Sequence, residues 1–240
     1  MLSPRWRKLL GDLCESRQRT AAMVTALTVG IFGVGTMLGS FSILTREIER
    51  NYRSTAPASA TLELASADDT LTAEVRKFPG IADAEARATI LSRIRVGNDW
   101  ARLLLFVIND FNDLRLNTFE RESGAWPPPP GTMLVERSSV KVLKAGIGAT
   151  PLIKTPHGIP REVPVSGLVH DTSLAPGVQE QTVYGYITRD TLGLLGEKPV
   201  LDELRIRVAD HPFDRTSIET TARNLASRLQ TMGRIDRQIQ

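Results

Sequence analysis

The chain is predicted to be an α+β protein with one N-terminal transmembrane helix followed by a two-lobed mixed α/β domain. Three observations predict this. Residues 20–44 are 25 consecutive positions without a charge. Beyond them, apolar periods of strand and helix type alternate to the end of the chain. Within that part, Pro127–Pro130 forms a stiff spacer that divides the domain into lobes.

The uncharged run, TAAMVTALTVGIFGVGTMLGSFSIL, would make a helix about 37 Å long at ~1.5 Å per residue. That exceeds the hydrocarbon thickness of about 30 Å, so it spans with some tilt. A cleaved signal peptide has an apolar region of only about 7–15 residues. The matching Ala58-Ser59-Ala60 lies 14 residues past the run, too far for cleavage there. A buried core helix rarely needs such a length free of charge.

Charge sets the orientation. Arg5, Arg7, Lys8, Arg17 and Arg19 stand against Asp12 and Glu15, so residues 1–19 carry the entire net charge of +3. Residues 45–240 hold 25 basic and 25 acidic side chains. Positive flanks stay cytoplasmic, which puts the N-terminus inside and the main domain outside. Arg46, Arg50 and Arg53 on the far side are interleaved with Glu47 and Glu49. A neutral domain lacks the phosphate-neutralising charge of a nucleic-acid binder, so that class is excluded.

Small residues recur within the span. Ala26 and Gly30 are four apart, as are Gly35 and Gly39, with Gly33 between; such spacing lets a second helix approach closely. Ahead of the span, Trp6, Leu9, Leu10 and Leu13 share one helical face. Residues 1–19 are therefore expected as a cytoplasmic amphipathic segment at the membrane interface. Residues 45–59 are expected as a stalk, helical through TREIERNY and broken by STAPAS.

The domain, residues 60–240, is then taken in order. Thr61–Leu64 is a short strand. Thr70–Lys77 is a helix with Asp69 as its N-cap and Pro79-Gly80 as its stop. Ala84–Val96 and Ala101–Ile108 form a long hairpin turning at Gly97-Asn98-Asp99. Residues 111–131 are irregular. A β-rich lobe is expected within 132–171: strand Met133–Val135, helix Arg137–Lys144 stopped at Gly146, and a second hairpin from Leu152–Lys154 and Glu162–Leu168. Val183–Thr188, Thr191–Leu195, Glu203–Val208 and Ser217–Met232 follow as strand, helix, strand and helix.

Chemical sites are missing from this pattern. The single cysteine, Cys14, allows no disulfide framework, and His157, His170 and His211 have no metal-binding spacing. Gly146-Ile147-Gly148 lacks both the third glycine of a dinucleotide loop and the lysine of a phosphate loop. Ser138 and Lys141 match the S-x-x-K of penicillin-binding enzymes, and Lys154-Thr155-Pro156 approaches their K-T-G. The S-D-N element is absent, and two lysines only 13 positions apart cannot enclose such a site. No catalytic, cofactor or metal residue is expected, and the chain is read as a non-enzyme.

Three stretches resemble ABC-transporter permeases of the MacB/FtsX type. They are Arg5–Leu10 through Arg17–Thr20 leading into Val24–Gly35, Thr132–Gly148, and Val163–Asp171. The resemblance implies a periplasmic core domain on a bacterial inner-membrane anchor, with a separate cytoplasmic ABC ATPase as partner and mechanical transmission between them. The family's permeases have at least three further spans after this domain, and none follows here before Gln240. The resemblance therefore implies a truncated reading frame or fragment, or spans supplied by a second permease chain. The alternative is a single-pass sensor or anchored ligand-binding domain, for which 19 cytoplasmic residues provide no output module.

Overall fold

With no charge or proline to interrupt it, the apolar run becomes one helix, α1 (Arg17–Ser54), in the computed structural model, which describes residues 17–232. A core helix would be covered, but no part of its Arg17–Arg46 stretch is buried. Phe32 and Met37 are 74% and 77% exposed. Among the described residues it is the one helix long and apolar enough to cross a membrane. Three of its hydroxyls are satisfied internally: Thr28, Thr36 and Thr45 donate to the carbonyls of Val24, Phe32 and Phe41 at 2.7, 2.8 and 2.9 Å. Polar side chains in hydrocarbon need that kind of internal partner. Trp6, Leu9, Leu10 and Leu13 lie outside the described residues.

The chain divides by its internal contacts into residues 1–50 and residues 51–240. The second unit is mixed α+β, as expected. Its strands are β1 (Ala60–Glu63), β2 (Ile81–Val96), β3 (Asp99–Ile108), β4 (Glu120–Gly124), β5 (Met133–Glu136), β6 (Leu152–Lys154), β7 (Arg161–Glu162), β8 (Val165–His170), β9 (Thr182–Thr188) and β10 (Glu203–Val208). The helices are α2 (Asp69–Val75), α3 (Val140–Leu143), α4 (Gly177–Glu180), α5 (Arg189–Leu194) and α6 (Arg215–Thr231). One sheet runs β1-β10-β2-β3-β9-β5-β8-β4, with β6 added beside β2 and β7 beside β6. Only β3–β9 and β5–β8 are parallel pairs among the described strands. The stretch 132–171 contributes β5 to β8 to this same sheet.

The β2–β3 hairpin organises both faces. Its two-residue turn has Gly97 at φ +62°, the positive-φ first position that a type II′ turn requires. Even-numbered β2 residues from Ala84 to Ala88, with Ile94, enter the larger apolar core. Leu71 and Val75 of α2 and Ala222, Leu225 and Leu229 of α6 belong to that core as well. On the opposite face, Phe106 and Ile108 of β3 join Tyr184 and Tyr186 of β9 in a second cluster. Phe111 and Phe119 from the connection between β3 and β4 belong to it, and Trp126 after β4 packs against it, the three rings meeting edge to face at centroid distances of 5.4–6.3 Å.

Several local expectations are corrected. The N-cap of α2 is Asp68, whose carboxylate accepts the Leu71 N–H at 2.7 Å; Asp69 is already helical. Residues 111–131 are not wholly irregular, because β4 lies within them and pairs β8. At Gly124 (φ +87°) a Cβ would collide with the Gly167 Cα, so the close approach of these strands needs glycine there. The helix after β5 is a 3-10 turn at Arg137–Ser139 followed by the single turn of α3, and Lys144 at φ +56° ends it before Gly146. The second hairpin forms only in part: β6 pairs β7 antiparallel around His157 and Gly158, Leu152 with Glu162 and Ile153 with Arg161. Pro164 has no N–H to donate and interrupts the strand expected over 162–168, leaving β7 and β8 as separate pieces. Strand β6 pairs β2 and β7, while β8 crosses to β5 and β4.

Candidate functional site

The site is a clasp at the start of the second unit, just ahead of β1. Pro57 ends helical geometry, and Ala56 turns with φ +48°, a left-handed conformation that costs a non-glycine residue about 1 kcal/mol or more. The strained turn is held on both sides. Asn117 and Thr118 donate backbone N–H groups to the carbonyls of Ala56 and Thr55 at 3.0 and 2.7 Å. Ser59 donates its N–H to the Ile206 carbonyl at 2.7 Å and its hydroxyl to the Pro212 carbonyl at 2.9 Å, and accepts the Val208 N–H at 3.2 Å. The Arg53 guanidinium sits 4.8 Å from the Phe213 ring centroid.

Behind residues 116–118 lies a buried ion pair. Arg87 and Glu85 share the outer face of β2 and are 2% and 5% exposed. Arg87 Nε donates to Glu85 Oε1 at 2.7 Å, and its terminal nitrogen donates to the Leu116 carbonyl. Glu85 Oε2 accepts the N–H groups of Arg115 and Leu116 at 3.0 and 2.8 Å. Each charge is thus compensated by its partner and by backbone groups, which a buried pair requires. The pair fixes the loop, and the loop fixes residues 55–58. A polar cavity of about 250 Å³ lies alongside, lined by Asp69, Arg76, Glu85, Asp110 and Asp113 among others.

A second buried network adjoins the aromatic cluster. The Tyr186 hydroxyl donates to Asp171 Oδ2 at 2.7 Å. Burial, then the nearby Asp171 carboxylate, pushes the Tyr186 phenol well above its ordinary value.

The residues singled out in the sequence are placed as follows. Ala26, Gly30, Gly33, Gly35 and Gly39 all lie exposed on α1, and a Cβ at any of the four glycines would meet nothing within 4 Å. At about 100° per residue, Ala26, Gly30 and Gly33 fall on one side while Gly35 and Gly39 fall on the other. Ser138 donates to Glu136 and accepts the Gly177 N–H at 2.7 Å, and the buried Ser139 accepts the Tyr184 N–H at 3.0 Å. Both hydroxyls therefore hold β5, α4 and β9 together, and Lys141 stays exposed. The histidines stand apart: His157 after β6, 2.9 Å from Glu197, His170 at the end of β8, and His211 after β10. Among the described residues no three His, Cys, Asp or Glu side chains group to hold a metal ion. Reading the sequence missed Glu85 and Arg87, because a charge at every second strand position is the ordinary sign of a solvent face.

No family model matches the chain, and no curated protein matches it. Its fold is similar to solved structures. One is the extracellular domain of the noncanonic ABC-type transporter YknZ from Gram-positive bacteria, 13% identical, covering 70% of this chain and 94% of that one at a TM-score of 0.45. Another is the periplasmic region of MacB from Actinobacillus actinomycetemcomitans, 14% identical, covering 81% and 93% at a TM-score of 0.46.

Proposed function

We propose that the chain is a non-catalytic permease component of an ABC-type export or mechanotransmission system. In this reading α1 crosses the inner membrane once with residues 1–19 in the cytoplasm, and residues 60–240 lie outside. The chain works with a separate ABC ATPase and with further spans from a permease partner. The observation that carries the reading is the clasp: the helix end at Arg53 and Ser54 runs straight into residues 55–59, which are bonded to the sheet through β10 and the Glu85–Arg87 loop. Residues 55–59 are therefore held to the sheet and are not a slack linker. The two small-residue sides of α1 would let partner helices pack against it from opposite directions.

The test is isolation of the full chain from membranes after mild crosslinking. A nucleotide-hydrolysing subunit is expected to accompany it, and Arg7→Glu with Lys8→Glu should reduce its recovery without preventing insertion. Recovery of no ATPase would contradict the reading. Wild-type recovery by the charge-reversed chain would make these two side chains lipid anchors only.

A further inference from the structure

Three cations stand in one row across the sheet. Arg93 of β2 is registered against Arg102 of β3 on one side and Lys154 of β6 on the other. Directly opposed residues share a face, with Cβ atoms about 4.5–5.5 Å apart, and like charges so placed destabilise a sheet. The next row toward the turn pairs Arg95 with Trp100, which is 41% exposed, and the preceding row pairs Leu91, 57% exposed, with Leu104. All four basic residues are exposed, and Arg95 donates to the Gly97 carbonyl at 3.2 Å. None of the four is in an ion pair among the described residues. The acids nearest in register stand off the row: Glu162 opposes Leu152, and Glu180 lies two residues before Thr182, which opposes Arg102.

Composition does not force this arrangement, because residues 45–240 contain as many acids as bases. Nor is this face covered as it is farther along β2 and β3, where the aromatic cluster and the Glu85–Arg87 loop lie over it.

We propose that this exposed half of the β2–β3 face is a docking surface for a partner protein that presents carboxylates around an apolar side chain. Positions on this face repeat about 7 Å apart along the strands and about 4.8 Å across them. That fixed grid suits carboxylates held on another folded surface, and arginine and tryptophan are among the residue types that dominate protein interfaces. Lipid attraction scales with net basic charge on an amphipathic element, whereas this is a pleated sheet face in a domain of zero net charge. The inference stands on the charge row alone and does not depend on the ATPase reading.

The test uses the full chain in non-ionic detergent and a fluorescent 20-residue peptide of repeating Glu-Glu-Leu-Glu, with a Gln-Gln-Leu-Gln counterpart. Anisotropy should show binding of the acidic peptide that weakens with salt and is at least about tenfold tighter than binding of the counterpart. The triple variant Arg93→Gln/Arg102→Gln/Lys154→Gln should lose about tenfold or more. The control Lys141→Gln/Lys144→Gln/Lys198→Gln, made at exposed lysines elsewhere, should bind like wild type. The triple variant should melt no lower than wild type, because it removes repulsion. Equal binding of the two peptides, or undiminished binding by the triple variant, would overturn the proposal. So would a triple variant that loses only sedimentation with vesicles of phosphatidylcholine and phosphatidylglycerol, since the surface would then read lipid.

Discussion

At the scale of single residues, the clasp depends on Arg87. Replacing it with methionine strands the Glu85 carboxylate among buried groups, and should destabilise the full chain in detergent by about 3–5 kcal/mol in urea unfolding. Glu85→Gln/Arg87→Met should cost much less, because no uncompensated charge remains. Tyr186 makes a separate prediction. Its phenol sits above its ordinary value of 10.0 in the fold, so its contribution is whole below that pH and is lost as pH rises beyond it. Tyr186→Phe should lose about 1–3 kcal/mol at neutral pH, since Asp171 loses a donor. It should also flatten the alkaline fall in stability; a fall as steep as in wild type would assign that pH dependence to other groups. Neither network was legible in the sequence. Arg87 finds the Leu116 carbonyl 29 residues away, and Asp171 finds Tyr186 15 residues away. Nothing in the local pattern marks either partner.

At the scale of elements, legibility followed periodicity. The β2–β3 hairpin shows in its alternation and its glycine turn, and α1 shows in its uncharged run. The strand β4, ERESG, has no apolar face and exists as a strand only through its pairing with β8. The path of β8 to β5 was equally hidden, since a parallel partner leaves no turn signal between the two strands. Helix α6 was legible from its spacing, and its burial gives a test. Leu225 is 1% exposed in the larger core. Leu225→Ala should therefore cost about 2–5 kcal/mol in chemical denaturation of the full chain. A loss below about 0.5 kcal/mol, the range of surface substitutions, would show that α6 does not hold the sheet.

At the scale of the whole molecule, one unit is a long apolar helix and the other is a mixed-sheet domain whose first residues, 55–59, are bonded to its own sheet. Composition carried much of this, because all net charge precedes the apolar run while the domain is neutral. The proposed function, by contrast, depends on which side of a membrane the domain occupies. That is open to a direct measurement with a membrane-impermeant thiol reagent on Gln179→Cys, an exposed position, in a Cys14→Ser background. Five basic residues before the span predict labelling of intact spheroplasts. Labelling only after the spheroplasts are opened would put the domain in the cytoplasm and contradict the account.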